Sequence, residues 1–510
     1  MPELETDVLV IGAGPTGLML ANCLTKLGIP TVIIDGKAEP TRESRALVLQ
    51  ARTMEIYDQL GVVDQVLAEA EQAGSIVPGF EVKGFRSINL RRLATGTTPY
   101  PHLYVLEQSK NERLLVDNLH ALGVDVAWNQ AIDSLEPIDG GSGVLCSTSG
   151  ATPLRIRARY CVGADGSSSV VRNLVGIEFD GATNEHTFYV LDATGVSGLA
   201  LDSINLRFGE RDFLLTFPMG STDHQRLLGV VRNDDGSPVS EESARETLHR
   251  AFDVSYDRSA WFSTYRVHHR VARHFRTGPT FLAGDAAHVH SPVGAQGMNT
   301  GLQDAHNIAC KLADVITGRA PDTYLDRYEA ERRPVAQRLV STTDTMFGVI
   351  TSEKRAARRL RRWVIPRIAP IAASLVPRFV ASSRIFEYLS QTRIHYWMSD
   401  QAKRAAHGRR GRVVGRRLPW NGDNFESLRT MTWQVHAYGE INRAMIEQLG
   451  TELRLPVSHF TEVRNQRLRS GNLYLVRPDG FVAAIASTRT SAAEQFSAAL
   501  PARRGASRND

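Results

Sequence analysis

The sequence predicts an α/β protein. It reads as a parallel layer assembled from two separated stretches of chain, an antiparallel sheet inserted between them, and a smaller unit at the C-terminus. Three observations carry this. Residues 7–11 form a continuous apolar run ending in glycines, as a parallel strand buried on both faces does. A helical stretch, 18–27, follows and is closed by Gly28, and residues 31–35 then give a second strand ending in a carboxylate, a complete βαβ unit. From 180 to 275 the pattern changes to short strands at 203–208, 213–217 and 226–231, separated by turn-forming or charged residues, before an apolar strand returns at 280–282.

The remaining elements extend this scheme. Residues 51–72 and 108–122 read as helices, and the strand 158–162 runs into a second glycine turn. A helix is expected over 301–317, with helical segments continuing to about 400. Strands at 473–476 and 481–486 flank the turn Arg477-Pro478-Asp479-Gly480, and weak patterning after Ala493 predicts a partly disordered tail. The 510 residues thus divide into a discontinuous first domain (1–179 and 276–400), an inserted sheet (180–275) and a C-terminal domain (401–510).

Composition excludes several function classes. A hydrophobic share of 42% and a charged share of 23% are those of a soluble globular chain. The net charge is only +5, and the basic stretches 353–362 and 403–417 lack interleaved aromatics, so they read as solvated faces and no nucleic-acid partner is expected. The four cysteines, Cys23, Cys146, Cys161 and Cys310, match neither zinc nor CxxC spacing. Free thiols in a reducing cytoplasm, with no metal, account for them. The apolar run 363–380 is broken by Pro366, Arg367, Pro370, Pro377 and Arg378, so no stable membrane insertion is expected. Residues 1–6 lead directly into the first strand, leaving no room for a signal peptide.

Three motifs carry the chemistry. In Gly12-Ala13-Gly14-Pro15-Thr16-Gly17 the first glycine permits a tight turn, the second lets the backbone approach a pyrophosphate, and the third lets helix and strand pack closely. The helix start then offers N–H donors and a positive dipole end to that anion. Asp35, followed by Gly36, stands where a carboxylate accepts from ribose hydroxyls. Gly163-Ala164-Asp165-Gly166 is a second glycine turn, and Gly284-Asp285 is a third. The last lies about 270 residues beyond the first, too far along the chain for the same mononucleotide unit. Its carboxylate suits a linear ribitol, which FAD has and NAD lacks. Downstream, Pro292 to Asn299, with Gly297 and Met298, precedes a helix and can present N–H groups to the flavin N1–C2=O edge.

On these motifs the chain resembles the class A flavin-dependent aromatic hydroxylases, the group of p-hydroxybenzoate and phenol hydroxylase, over roughly residues 1–400. The resemblance implies a Rossmann-like FAD-binding domain of the p-hydroxybenzoate hydroxylase fold around the inserted sheet. It assigns Asp165, Gly166 and Arg172 to support of the pyrophosphate and the reductant's approach, and Arg45 and Gln108 to FAD contact. Gly415-Arg416-Arg417-Leu418-Pro419 and the Arg477–Gly480 turn resemble the thioredoxin-like domain of the phenol hydroxylase branch, here without any cysteine after Cys310. The implied activity is that of an FAD monooxygenase using NADPH or NADH and O2. It would hydroxylate a phenolic or polyketide-type, small aromatic or polycyclic substrate through a flavin C4a-hydroperoxide. Arg45 and Pro292 are the candidate catalytic residues; His288 and His290 flank Val289 next to the ribitol motif, where a general base could stand, and His288 reads rather as a structural part of the motif. The pocket is expected between flavin and sheet, lined by alternate residues of 205–208 and 213–217, with Arg207 and Arg232 as sheet-surface charges. No second GxGxxG follows a strand, so no separate nicotinamide domain is expected. The alternatives are a Baeyer–Villiger oxygenase on a polycyclic ketone and a non-catalytic flavin-sequestering protein. A halogenase is excluded by the lack of a WxWxIP motif. A cytoplasmic monomer or homodimer is expected.

Overall fold

Five parallel strands lie side by side in the order Val126–Ala127, Thr31–Ile34, Glu3–Ile11, Arg155–Gly163 and Thr280–Leu282. This arrangement comes from a computed structural model that describes residues 2–41, 46–210, 212–230, 239–290, 296–351, 367, 386–396 and 413–501. Val8, Leu9 and Val10 are fully buried, as the unbroken apolar run requires. The helix Pro15–Lys26 starts with proline in its first turn, where a missing N–H costs nothing, and packs beside the long helix Gly297–Ile316. The strand Thr280–Leu282 lies in the same sheet as the N-terminal strand, as the apolar strand returning at 280–282 predicts. A crossover of more than a hundred residues still returns to a neighbouring parallel position.

The inserted sheet is larger than its short strands suggest. Its backbone is the antiparallel pair Phe179–Thr194 and Arg258–Ala272, neither of which is apparent as a strand in the sequence. Ser221–Val230, Phe213–Met219 and Ile204–Phe208 follow outward, and Ser75–Phe80 then joins in parallel from the first part of the chain. At the other edge His288–Val289 pairs with Arg258–Ala272 and ties the sheet to the third motif. Side chains alternate strictly. Tyr189, Leu191 and Leu227 pack under the helix Glu241–Phe252, whose start is fixed by a Ser240/Ser243 capping box. Phe188, Val190, Phe213, Leu215, Phe217 and Leu228 face the other way, towards Val48, Leu90 and Leu103.

Other expectations are corrected locally. The single helix over 51–72 is two, Ala51–Leu60 and Val63–Glu69, because Gly61 takes a left-handed conformation (φ 93°) and ends the first. Arg207 is no surface charge. It is buried and donates to the carbonyls of Val82 (2.8 Å) and Glu81 (3.4 Å), closing the turn after Ser75–Phe80. The first part of the tail is helical: Thr488 and Ser491 cap a helix, Arg489–Ala499, that buries Ala492 and Phe496, and residues 502–510 lie outside the described residues. Arg232, the stretch 353–362 and most of 363–398 lie outside the described residues. Among the described residues no helix is long and apolar enough to cross a membrane. The four cysteines are buried and unbridged, and burial pushes the Cys23 and Cys146 thiols up to about 12.

The C-terminal sheet has the order Val457–Phe460, Gln434–Tyr438, Asn472–Val476, Val482–Ala486; the first pair is parallel and the others antiparallel. It docks through buried charge. Arg477 donates to both oxygens of Glu331 (2.7 and 3.0 Å), Lys311 reaches the same carboxylate at 2.7 Å, and Arg417 meets Glu55 at 3.0 Å. Trp433 donates to Asp314 at 2.9 Å.

Two histidines in these layers are buried and neutral. Burial, reinforced by the Arg52 charge, pushes His306 down to about 3, and burial alone does the same to His436. Between the ordinary value of 6.5 and about 3 the unfolded chain binds these protons while the folded protein does not. Stability therefore falls as pH falls through that window, by about 1.4 kcal/mol per pH unit for each histidine. Thermal unfolding at pH 7, 6 and 5 should give a declining series of midpoints, and a flat series would contradict the assignment.

Candidate functional site

The motifs that lie far apart in the sequence all sit at the C-terminal ends of adjacent parallel strands, where open α/β sheets bind ligands. Gly12 has φ 106° and donates to Ile34 O at 2.8 Å. A Cβ there would fall 2.4 Å from Ala164 O, so the first and second glycine turns touch backbone to backbone. At Gly17 a Cβ would come within 1.8 Å of Gly12 O. Gly14 is different, because nothing lies within 4 Å of its Cβ position. Gly14, Pro15 and Thr16 are partly exposed at the start of Pro15–Lys26, leaving an open cradle of N–H donors at the positive end of a helix.

Asp35 locks this turn to the second strand. Its Oδ2 accepts from Ala13 N at 2.6 Å and its Oδ1 from Lys37 N at 2.7 Å, while a second lone pair on each oxygen remains for a hydroxyl. Gly36 beside it is exposed. In the second turn, Asp165 accepts from Ser169 Oγ (2.5 Å) and Val171 N (3.0 Å), capping the helix Val170–Leu174, and Gly166 takes φ 82°. Arg172 lies flat over Phe179 and donates to Ala286 O and Ser167 O, each at 3.0 Å. Arg172 thus joins the second turn to the third, while Asp165 closes the second turn on itself.

In the third turn Gly284, Ala286 and Ala287 are buried and Asp285 is exposed, so one carboxylate is presented outward. Cβ atoms at Gly284 and Gly301 would come within 2.5 and 2.3 Å of Thr16 Oγ1, which makes Thr16 the meeting point of three elements. Beneath the turn Asp304 accepts from Gly284 N (3.2 Å), His288 Nε2 (2.6 Å) and Arg332 Nε (2.6 Å). Burial alone would raise the Asp304 carboxyl, but Arg332 and His288 beside it hold it below its ordinary range. His288 is therefore spent on holding the turn. Arg332 continues to Tyr396 OH at 2.9 Å and Thr300 O at 3.2 Å.

Gln108 accepts from Ala46 N (3.4 Å) through Oε1 and donates to Glu112 at 2.9 Å, fixing the chain just after residue 45. The Asn299 side chain donates to Val48 O (2.7 Å) and accepts from Gln50 N (2.9 Å) and Thr53 Oγ1 (2.7 Å), which fixes the start of the helix Gly297–Ile316 against the segment 48–53. Gly297 and Met298 are partly exposed at the same helix start. Arg45 and Pro292 lie outside the described residues. Asp304, Arg332 and Tyr396 were not singled out from sequence. The available signal was a charged residue, Asp304, on a helix buried along nearly its whole length.

These residues fit FAD. An open glycine at a helix start suits a pyrophosphate, one strand-end carboxylate suits a ribose, and a second carboxylate on a separate turn suits a further polyol. The family model for an FAD binding domain matches residues 5–343. The 6-methylpretetramide 4-monooxygenase of Streptomyces rimosus is 33% identical over 78% of this chain and 71% of its own length. An uncharacterized aromatic compound monooxygenase of Bacillus subtilis is 30% identical over 94% of both. Among solved structures, an anhydrotetracycline hydroxylase from Streptomyces rimosus superposes with a TM-score of 0.76 at 26% identity, covering 97% of this chain and 98% of that one.

The chain is thus an FAD-binding protein of the α/β class. It belongs to the flavin-dependent aromatic hydroxylase family and is an FAD-dependent monooxygenase. Replacing Asp285 by Ala should weaken FAD binding about tenfold or more, the effect of losing a hydrogen bond to a charged group. Titration of flavin-free protein by fluorescence quenching measures it, and an unchanged dissociation constant would count against the polyol role.

Proposed function

We propose that this monooxygenase hydroxylates a phenolic or polyketide-type, multi-ring aromatic substrate, with NADPH or NADH as reductant. The observation that carries the reading is the apolar, aromatic sheet face turned towards the FAD layer. Phe188, Phe213, Leu215, Phe217 and Leu228 stand opposite Leu47, Val48, Leu90 and Leu103. These side chains are already buried against one another, so the layer is a dry apolar wall, and a flat ring system would be taken at its flavin-side edge, where water is kept out. When bound, FAD supplies electron uptake from the reductant and activation of O2. The protein's part is to hold the ring at the flavin edge and keep it dry.

Within this proposal the turn Gly12–Gly17 holds the pyrophosphate, Asp35 the adenosine ribose, Asp285 the ribitol, and the backbone of Gly297, Met298 and Asn299 the flavin carbonyl edge. Asp165, Gly166 and Arg172 support the turns, Gln108 serves FAD contact while fixing the chain at Ala46, and Arg45 and Pro292 are the candidate catalytic residues that the family resemblance implies. The division into 1–179 with 276–400, 180–275 and 401–510 belongs to the same reading. Its last unit is thioredoxin-like, supported by one parallel and two antiparallel pairings in a four-stranded sheet; it cannot perform dithiol chemistry.

The relatives support hydroxylation by their names: one acts on 6-methylpretetramide, another on pentachlorophenol. The test is a panel of phenols and multi-ring polyketide aromatics incubated with NAD(P)H and 18O2. Label should appear as a ring hydroxyl in at least one product. A lactone product would indicate Baeyer–Villiger chemistry instead, and bound FAD with no substrate-stimulated oxidation of NAD(P)H would indicate a sequestering protein.

A further inference from the structure

The buried turn Arg477-Pro478-Asp479-Gly480-Phe481 lies in the C-terminal unit, remote in sequence from every glycine motif, yet two unbroken routes of contact join it to the cofactor turns. In the first, Phe481 stacks on Tyr396 with ring centroids 4.2 Å apart. The Tyr396 hydroxyl accepts from Arg332 Nη1 (2.9 Å), Arg332 donates to Asp304 (2.6 Å), and Asp304 accepts from Gly284 N (3.2 Å) beside Asp285. In the second, Asp479 O accepts from Arg52 Nη2 at 2.8 Å. Arg52 opens the helix Ala51–Leu60 beside Gln50 and Thr53, which both bond Asn299 at the start of the helix Gly297–Ile316. Arg477, held by Glu331 and by Asp479 at 2.7 Å, and Asn307, donating to Asp479 at 3.3 Å, fix the turn where both routes begin.

We infer that Arg52, Arg332 and Tyr396 are positioning residues through which docking of the C-terminal unit sets the FAD-holding turns, so that docking and FAD binding are coupled. The physical reason is the burial of the network's charges. Arg332 and Asp304 are fully buried, and Arg477 and Glu331 nearly so. A buried charge left with a missing partner is strongly unfavourable, so the network is either assembled or broken and does not deform gradually. Coupling of this kind is reciprocal: FAD tightens docking as docking tightens FAD.

The inference rests on assigning the Gly284–Asp285 turn and the Gly297–Asn299 helix start to FAD. Full-length protein is stripped of flavin and titrated with FAD, as wild type, Tyr396→Phe and Arg52→Met, one variant on each route. Affinity should weaken by about 2- to 30-fold in at least one variant, the range for residues that couple sites without touching ligand. A purely structural role would lower the unfolding temperature and leave the dissociation constant unchanged.

Hydrogen exchange on the wild type gives a second reading that needs no mutant. FAD should slow exchange in 472–486 more than in the helix Glu241–Phe252, which lies on the far face of the inserted sheet and serves as reference. If both variants bind FAD within about twofold of wild type, or if neither is soluble and exchange slows equally in the two segments, the coupling is overturned. Wild-type protein that binds no FAD would instead overturn the cofactor assignment itself.

Discussion

The site depends on a backbone contact that no side chain permits. Gly12 brings the turn after the first strand against Ala164 in the turn after Arg155–Gly163, with a would-be Cβ only 2.4 Å from a carbonyl oxygen. A similar approach recurs where Gly284 and Gly301 close on Thr16. These contacts converge three strand ends and two helix starts onto one edge of the sheet. Hydrogen bonds then hold the convergence: Asp35 to Ala13, Arg172 to Ala286, Asp304 to Gly284. The polar side chains around the turns mostly bond backbone, while Gly14 and Asp285 remain turned outward. That division of labour suits a long, doubly charged ligand, which needs donors already oriented and little side-chain rearrangement.

The inserted sheet is tied into the same framework. Buried on both faces, it uses one set of alternate residues to pack its own helix and the other to build an apolar wall towards the flavin layer. The strand His288–Val289 couples this wall to the third turn, and Ser75–Phe80 couples it to the first part of the chain. The inserted sheet and the glycine turns are therefore held by the same hydrogen-bonded framework.

Much of this was legible from sequence because glycine spacing and strand-end carboxylates are local signals. The turn at Gly12–Gly17, Asp35 and Gly284–Asp285 could be placed on strand ends before any fold was known. Long-range pairing was not legible. Phe179–Thr194 and Arg258–Ala272 are strands because they pair with each other, and their mixed polar pattern hides the period of two; Asp192, for example, is buried only because Arg226 of the neighbouring strand Ser221–Val230 pairs with it. Gly61 split a helix that periodicity alone extends. Arg207 looked like surface charge because its acceptors are backbone carbonyls of a turn far away in the chain. The Asp304–Arg332–Tyr396 network escaped for the same reason, since each member is satisfied by a partner far away in the chain.

The most direct test of the account is a crystal structure of the protein with FAD bound. The account predicts the pyrophosphate over Gly14 at the start of Pro15–Lys26, the adenosine ribose against Asp35, the ribitol at Asp285, and the ring edge facing Phe213, Leu215 and Phe217. A flavin whose pyrophosphate lies away from that helix start, or whose ribitol does not approach Asp285, would contradict it.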